Sequence, residues 1–191
     1  MDRTKILQGI RLLLEGIGED PSREGLIDTP ERVANMIQSF HEVSSIEDSE
    51  LCNPVFHVEN YDDIVLMKNI KFSSFCEHHL MPFFGEISIA YLPSTNTVIG
   101  LSKLARIVNK YSKRLQLQER MTQQIADALD KYVSNHGIFI IIRAHHMCIG
   151  ARGVLQPACE TITRTSTGDF QKNLPLTAQI QQLMLTNKAT C

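Results

Sequence analysis

Gly137-Ile138-Phe139-Ile140-Ile141-Ile142-Arg143-Ala144-His145-His146-Met147-Cys148 runs from a glycine through an unbroken apolar segment into two histidines and a cysteine. β-Branched side chains crowd a helix but sit well on a pleated surface. An apolar run of this length without alternation reads as a strand buried on both faces, so something must cover each side of its sheet. At its end His146 and Cys148, two residues apart, are expected to leave the same face of the pleat, with His145 and Met147 on the other.

Working outward, the period changes on the N-terminal side. Leu117, Met121, Ile125, Leu129 and Tyr132 predict one long helix, and Leu104, Ile107, Val108 and Tyr111 predict another from about Ser102 to Lys113. Before them Ile87, Ile89 and Tyr91 alternate with Glu86, Ser88 and Ala90 up to a turn at Pro93 to Asn96, and Ile64-Val65-Leu66-Met67 is a short apolar run; both read as strands. Beyond Cys148, the β-branched residues from Thr161 to Thr167 predict a last strand, and 174–186 a terminal helix.

Near the start, Ile6, Ile10, Leu13, Leu14 and Ile17 mark an amphipathic helix over residues 3–16 that Gly16-Ile17-Gly18 ends. A second restarts at Asp28-Thr29-Pro30, where proline suits the first turn because its missing N–H has no helical partner. Val33, Met36, Ile37 and Phe40 form its apolar face. Residues 44–60 carry acids and Pro54 without a period and read as a linker. The expected organisation is a helical arm and linker over 1–60 and a domain with an antiparallel sheet and two long helices over 61–191. That order is α+β.

Composition narrows the function classes. The 191 residues are 43% hydrophobic and 21% charged, a globular mix long enough for a sizeable core. A formal net charge of −2, with Lys and Arg scattered, gives no footprint for nucleic acid. The opening Met1-Asp2-Arg3-Thr4-Lys5 leads into an apolar stretch interrupted by Arg11 and Glu15, neither a signal peptide nor a membrane span, so the expected location is cytoplasmic. Cysteines at 52, 76, 148, 159 and 191 form an odd, widely spaced set that reads as reduced thiols rather than a disulfide framework, with Cys191 expected to be mobile.

Two of those thiols sit beside histidines. Cys76-Glu77-His78-His79 puts a thiol and an imidazole three apart, on one side of a helical turn or tight loop. His78 would project about 100° away, so His79 is the expected ligand and His78 stays at the rim. Cys148 brings a second thiolate, and two thiolates with an imidazole favour zinc over calcium or magnesium. Three protein ligands leave a position for water. Two readings compete: Cys76 and Cys148 as small buried hydrophobes, and a closed structural site with His146 or Cys159 as fourth ligand.

The motifs Cys76-Glu77-His78-His79-Leu80-Met81-Pro82-Phe83, Gly100-Leu101-Ser102-Lys103-Leu104-Ala105-Arg106, Leu117-Gln118-Glu119-Arg120, His146-Met147-Cys148 and Ala151-Arg152-Gly153-Val154 together resemble GTP cyclohydrolase I. Gly25 to Val33 is similar to the family's N-terminal signature. The resemblance covers about residues 16 to 170. It implies a tunnelling fold whose subunits pool their sheets into an oligomeric β-barrel, a homo-oligomer that is a decamer built as a dimer of pentamers, and sites at subunit interfaces. The implied reaction opens GTP at guanine C8, releases formate and yields 7,8-dihydroneopterin triphosphate, the first step towards folates and pterins.

The same resemblance assigns roles. Cys76, His79 and Cys148 are the implied zinc ligands, in agreement with the spacing. His146 is the implied acid that protonates N7 of the purine, its unperturbed pKa near 6.5 suiting transfer in both directions. His78 is a second proton-transfer candidate, and Ser102 completes the implied catalytic set. Lys103 and Arg106, at the start of a helix whose N–H groups favour anions, and Arg152 are expected on the triphosphate. Glu119 can accept from guanine N1–H and the 2-amino group together, a match adenine lacks, with Gln118 beside it. Arg32 resembles an arginine that reaches a neighbouring subunit's triphosphate, and one turn on Asn35 stands where many relatives carry lysine. The tail beyond Phe170 departs from the family's usual charged ending.

Overall fold

The computed structural model describes residues 1–61 and 63–186; Cys191 lies outside them. The chain divides into two units, Met1–Ser45 and Ile46–Cys191. In the first, α1 (Arg3–Gly16) packs along α2 (Thr29–Ser44). Asp2 caps α1 by accepting from the Lys5 amide at 3.1 Å, and Pro30 takes the first turn of α2. Arg3 ties the pair together, donating to Asn35 Oδ1 at 2.8 Å and Gln38 Oε1 at 3.2 Å and pairing with Glu31.

The second unit begins earlier than expected. The stretch read as a linker carries α3 (Asp48–Cys52) and β1 (Val55–His57), and Leu51 and Cys52 are buried in the core. Five helical residues complete little more than one turn, too few to display a period. Strand β1 pairs with β4 (Thr97–Ile99) as a separate two-stranded ribbon.

The main sheet is built from β2 (Val65–Cys76), β3 (Pro82–Pro93), β5 (Leu115–Gln116), β6 (Asn135–His146) and β7 (Thr161–Ser166), in the order β5-β2-β3-β6-β7. All neighbours are antiparallel except β5, which adds two parallel residues at the end of β2. This is the expected α+β class.

Strand β6 has covering layers on both sides, as its apolar run demands. Ile138, Ile140 and Ile142 join the core under α4 (Leu101–Ser112) and α5 (Gln118–Tyr132), with Leu104, Ile107, Met121, Ile125 and Leu129. Phe139 and Ile141 face a second core with Ala90, Phe170, Ile180 and Met184, the last three supplied by α7 (Asp169–Lys172) and α8 (Leu174–Leu185). Each such burial is worth about 1.5–3 kcal/mol. The tail thus has a structural task. Asn173 caps α8 by accepting from the Leu176 amide at 3.1 Å, and Lys68 Nζ closes its other end on Leu183 O and, at 2.8 Å, Thr186 O.

The site end of the sheet is set by register. Phe83 pairs with His146, Phe75 with Pro82, and Cys76 with Gln116, which gathers four strand ends. Gly85 allows β3 and β6 to approach closely there: a Cβ on it would lie 1.9 Å from the Arg143 carbonyl oxygen. No helix among the described residues is long and apolar enough to cross a membrane.

Candidate active site and metal centre

Cys76 ends β2, and the chain turns at once. The His79 and Leu80 amides donate back to the Cys76 carbonyl at 3.3 and 2.9 Å, and the Cys76 amide donates to Met81 O at 2.8 Å. This is one helical turn closed by Leu80 at φ 54°, so Cys76 and His79 share a side as their spacing predicts. Cys148 arrives differently from expectation. Strand β6 stops at His146, and Cys148 lies in the short helix α6 (Met147–Gly150), so a helical turn rather than the pleat delivers its sulfur.

Cys76 Sγ, a His79 ring nitrogen and Cys148 Sγ all lie within 4.8 Å of one another, a group that can hold a metal ion. Cys76 is buried, Cys148 half-buried and His79 exposed. Burial and the adjoining Cys76 sulfur push the Cys148 thiol's pKa up. Two thiolates this close repel unless a cation sits between them, which is the donor chemistry of a soft-metal site. Neither rival fourth ligand joins the group among the described residues. Cys159 is exposed and its carbonyl meets His145 Nδ1 at 3.2 Å, while His146 Nε2 is 2.7 Å from Gln118 Oε1.

His146 is held on two sides. Its ring stacks on Phe83 with centroids 4.5 Å apart and an interplanar angle of 6°, and Gln118 takes its Nε2. Burial lowers its pKa, with the Glu119 charge working the other way. Gln118, expected in a purine pocket, is buried at 1% exposure, and its Nε2 donates to Ile142 O, Thr161 O and Thr163 Oγ1 at 3.2, 3.0 and 3.1 Å. Glu119 next to it is exposed. His78 is exposed, its ring perpendicular to that of His79 at 6.2 Å between centroids. Arg152 reaches the ligand group, with Nη1 3.1 Å from His79 Nε2.

Ser102 does not cap α4: Gly100 takes the N-cap in extended conformation, and Ser102 is exposed in the first turn. Lys103 is half-buried and Arg106 exposed on the same helix. Arg32 belongs to the first unit and pairs with Asp28 at 3.2 Å, while Asn35 accepts from Arg3.

Residues 6–185 match the family described as GTP cyclohydrolase I. The chain belongs to the GTP cyclohydrolase I family. It is similar to GTP cyclohydrolase 1 of Brevibacillus brevis, 44% identical over 184 residues that span 96% of this chain and 98% of that one. GTP cyclohydrolase 1 of Clostridium kluyveri is 45% identical over the same shares, and that of Clostridium perfringens 46% over 170 residues, 89% of this chain and 91% of its own. Among solved structures, the archaeosine synthase QueF-Like in the apo form overlaps 57% of this chain and 97% of its own at 16% identity and a TM-score of 0.46.

As an enzyme of the GTP cyclohydrolase I family, the chain carries its chemistry-bearing motifs on the ends of β2, β3 and β6, the starts of α4 and α5, and α6 with the loop that follows it. Two features escape a sequence reading. Phe83 supplies the stacking surface for His146, a contact that depends on strand register. Glu77 pairs with Arg120 across forty-odd residues, and that arginine holds the Glu77 carboxyl below its usual range. Both members stand inside quoted motifs, which was the available signal.

Proposed function

We propose that the chain is a zinc-dependent GTP cyclohydrolase I that opens GTP at guanine C8, releases formate and forms 7,8-dihydroneopterin triphosphate, the first step of folate and pterin synthesis. The observation that carries this reading is the convergence of two thiols and an imidazole within 4.8 Å, with Arg152 against His79 and His146 two residues before Cys148 in the chain, in a member of this family. The donor set fits zinc, with Cys76, His79 and Cys148 as its ligands. When bound, zinc lowers the pKa of a coordinated water towards neutrality.

The chain's own residues do the rest. Glu119 accepts the guanine N1–H and 2-amino group and so selects guanine. His146, steadied by Phe83 and Gln118, gives a proton to purine N7, and its pKa, lowered by burial, favours that donation. His78 at the rim serves proton transfer during ribose opening, with Ser102 in the catalytic set. Lys103, Arg106 and Arg152 bind the triphosphate, and Arg32 serves a neighbouring subunit. Asn35, engaged by Arg3, is not a substitute for the missing lysine cation.

The matching assembly is a tunnelling-fold homodecamer in the cytoplasm, with Met1–Ser45 as arm and Ile46–Cys191 as catalytic domain, and with neither nucleic acid nor membrane as partner. Incubating zinc-loaded protein with GTP should release formate and give a fluorescent neopterin after oxidation. Absence of both, with turnover of another nucleotide, refutes the substrate. Native mass measurement reads the assembly and the zinc stoichiometry together.

A further inference from the structure

Glu77 sits between two of the metal-ligand positions, and its carboxylate is turned onto Arg120. All three guanidinium nitrogens of that arginine are engaged. Nη1 and Nη2 face the two Glu77 oxygens, Nη1 at 3.5 Å, and Nε donates to Gln116 Oε1 at 3.2 Å. Gln116 is a firm anchor: at 1% exposure its Nε2 donates to Tyr111 O at 2.9 Å and Gln124 Oε1 at 3.0 Å, while its carbonyl accepts the Glu77 amide at 3.1 Å. Main chain and side chain of one buried residue therefore hold both ends of the ion pair.

The two side chains are 43% and 30% exposed, a setting in which an ion pair adds little to folding. Its geometry ties instead two segments that share no local structure: the turn bearing Cys76 and His79, and the first turn of α5 bearing Gln118 and Glu119. We propose that Glu77 and Arg120 form a clasp of positioning residues that fixes the ligand turn, keeps the Glu77 carboxylate away from the metal, and sets the α5 start at a constant distance from it. The three-point grip needs a planar fork, which lysine does not offer.

This rests on Cys76, His79 and Cys148 being the metal ligands. The test uses the full chain with Glu77→Ala, Arg120→Ala, Arg120→Lys and the double alanine variant. Zinc affinity is measured by competition with a chromophoric chelator, the visible spectrum by cobalt substitution, and folding of the metal-free chain by its denaturant midpoint. Each single change, Arg120→Lys included, should weaken zinc binding about tenfold or more, as loss of a ligand-orienting partner does. The cobalt spectrum should shift, the double variant should be no worse than either single, and the midpoint should hold. Parental affinity and spectrum in the variants, strictly additive losses, or a midpoint falling in step with affinity would overturn the clasp. An unsubstituted chain that fails to bind zinc would instead remove the ligand assignment itself.

Discussion

Gln118 shows how far one amide can be constrained. Its nitrogen faces two carbonyls and a hydroxyl, so its oxygen is the atom that meets His146 Nε2. An amide oxygen only accepts, and that ring nitrogen must therefore carry a proton, leaving Nδ1 as the atom that can take up and give back a second one. Gln118→Leu should lower kcat on the order of tenfold or more while moving KM for GTP less, since the loss falls on His146, the proposed proton-transfer group. Steady-state kinetics decide: a raised KM with kcat intact would favour the expected role of Gln118 in the purine pocket instead. The thiols separate equally clearly. Burial, helped by Asp48, pushes Cys52 up to about 11, whereas Cys159 is exposed. At pH 8 iodoacetamide should modify Cys159 and leave Cys52 untouched until the chain unfolds, as peptide mapping would read. Because the folded pKa exceeds the ordinary 9.0, the protonated Cys52 contributes stability below pH 9 that is lost as pH rises through about 11.

At the scale of elements, α3 is held to α4 by Asp48, which accepts from Lys110 Nζ at 2.6 Å and the Tyr111 hydroxyl at 2.7 Å. Both charged side chains are largely buried, at 11% and 19% exposure. Asp48→Ala strands an ammonium and a phenol together and should cost about 3 kcal/mol, checked by denaturant unfolding. A sequence reading does not reach this helix, because five residues carry no period and its anchor lies sixty positions away. The long elements were legible for the opposite reason. Leu104, Ile107 and Val108, or Met121, Ile125 and Leu129, repeat often enough to announce a face, and the isoleucines of β6 announce two. Cys76 and His79 were legible because one turn joins them; Cys148 lay at the right place by a helical turn that a strand reading misassigns. The burial of Gln118, which looks like an ordinary first-turn residue, depends on β7 folding across it.

Across the whole second unit, one sheet separates two cores with different duties. The core under α4 and α5 adjoins Phe83, Cys76 and His146, while the core under α7 and α8 ends at Phe170, which lies 5.9 Å from Phe139 between ring centroids. Phe170→Ala should lose about 3–5 kcal/mol in unfolding experiments and leave kcat/KM per folded molecule unchanged at 25 °C. A fall in kcat/KM of the folded enzyme would show the two cores to be coupled. The central strand also writes this division into parity. Positions 138, 140 and 142 belong to the first core, 139 and 141 to the second. In a saturation library over positions 138 to 142, alleles of either parity should lose folding stability. Only the even-numbered ones, set in the core that holds Phe83 and Cys76, should also lower kcat/KM of the molecules that do fold, so harm beyond folding can be forecast from whether a residue number divides by two.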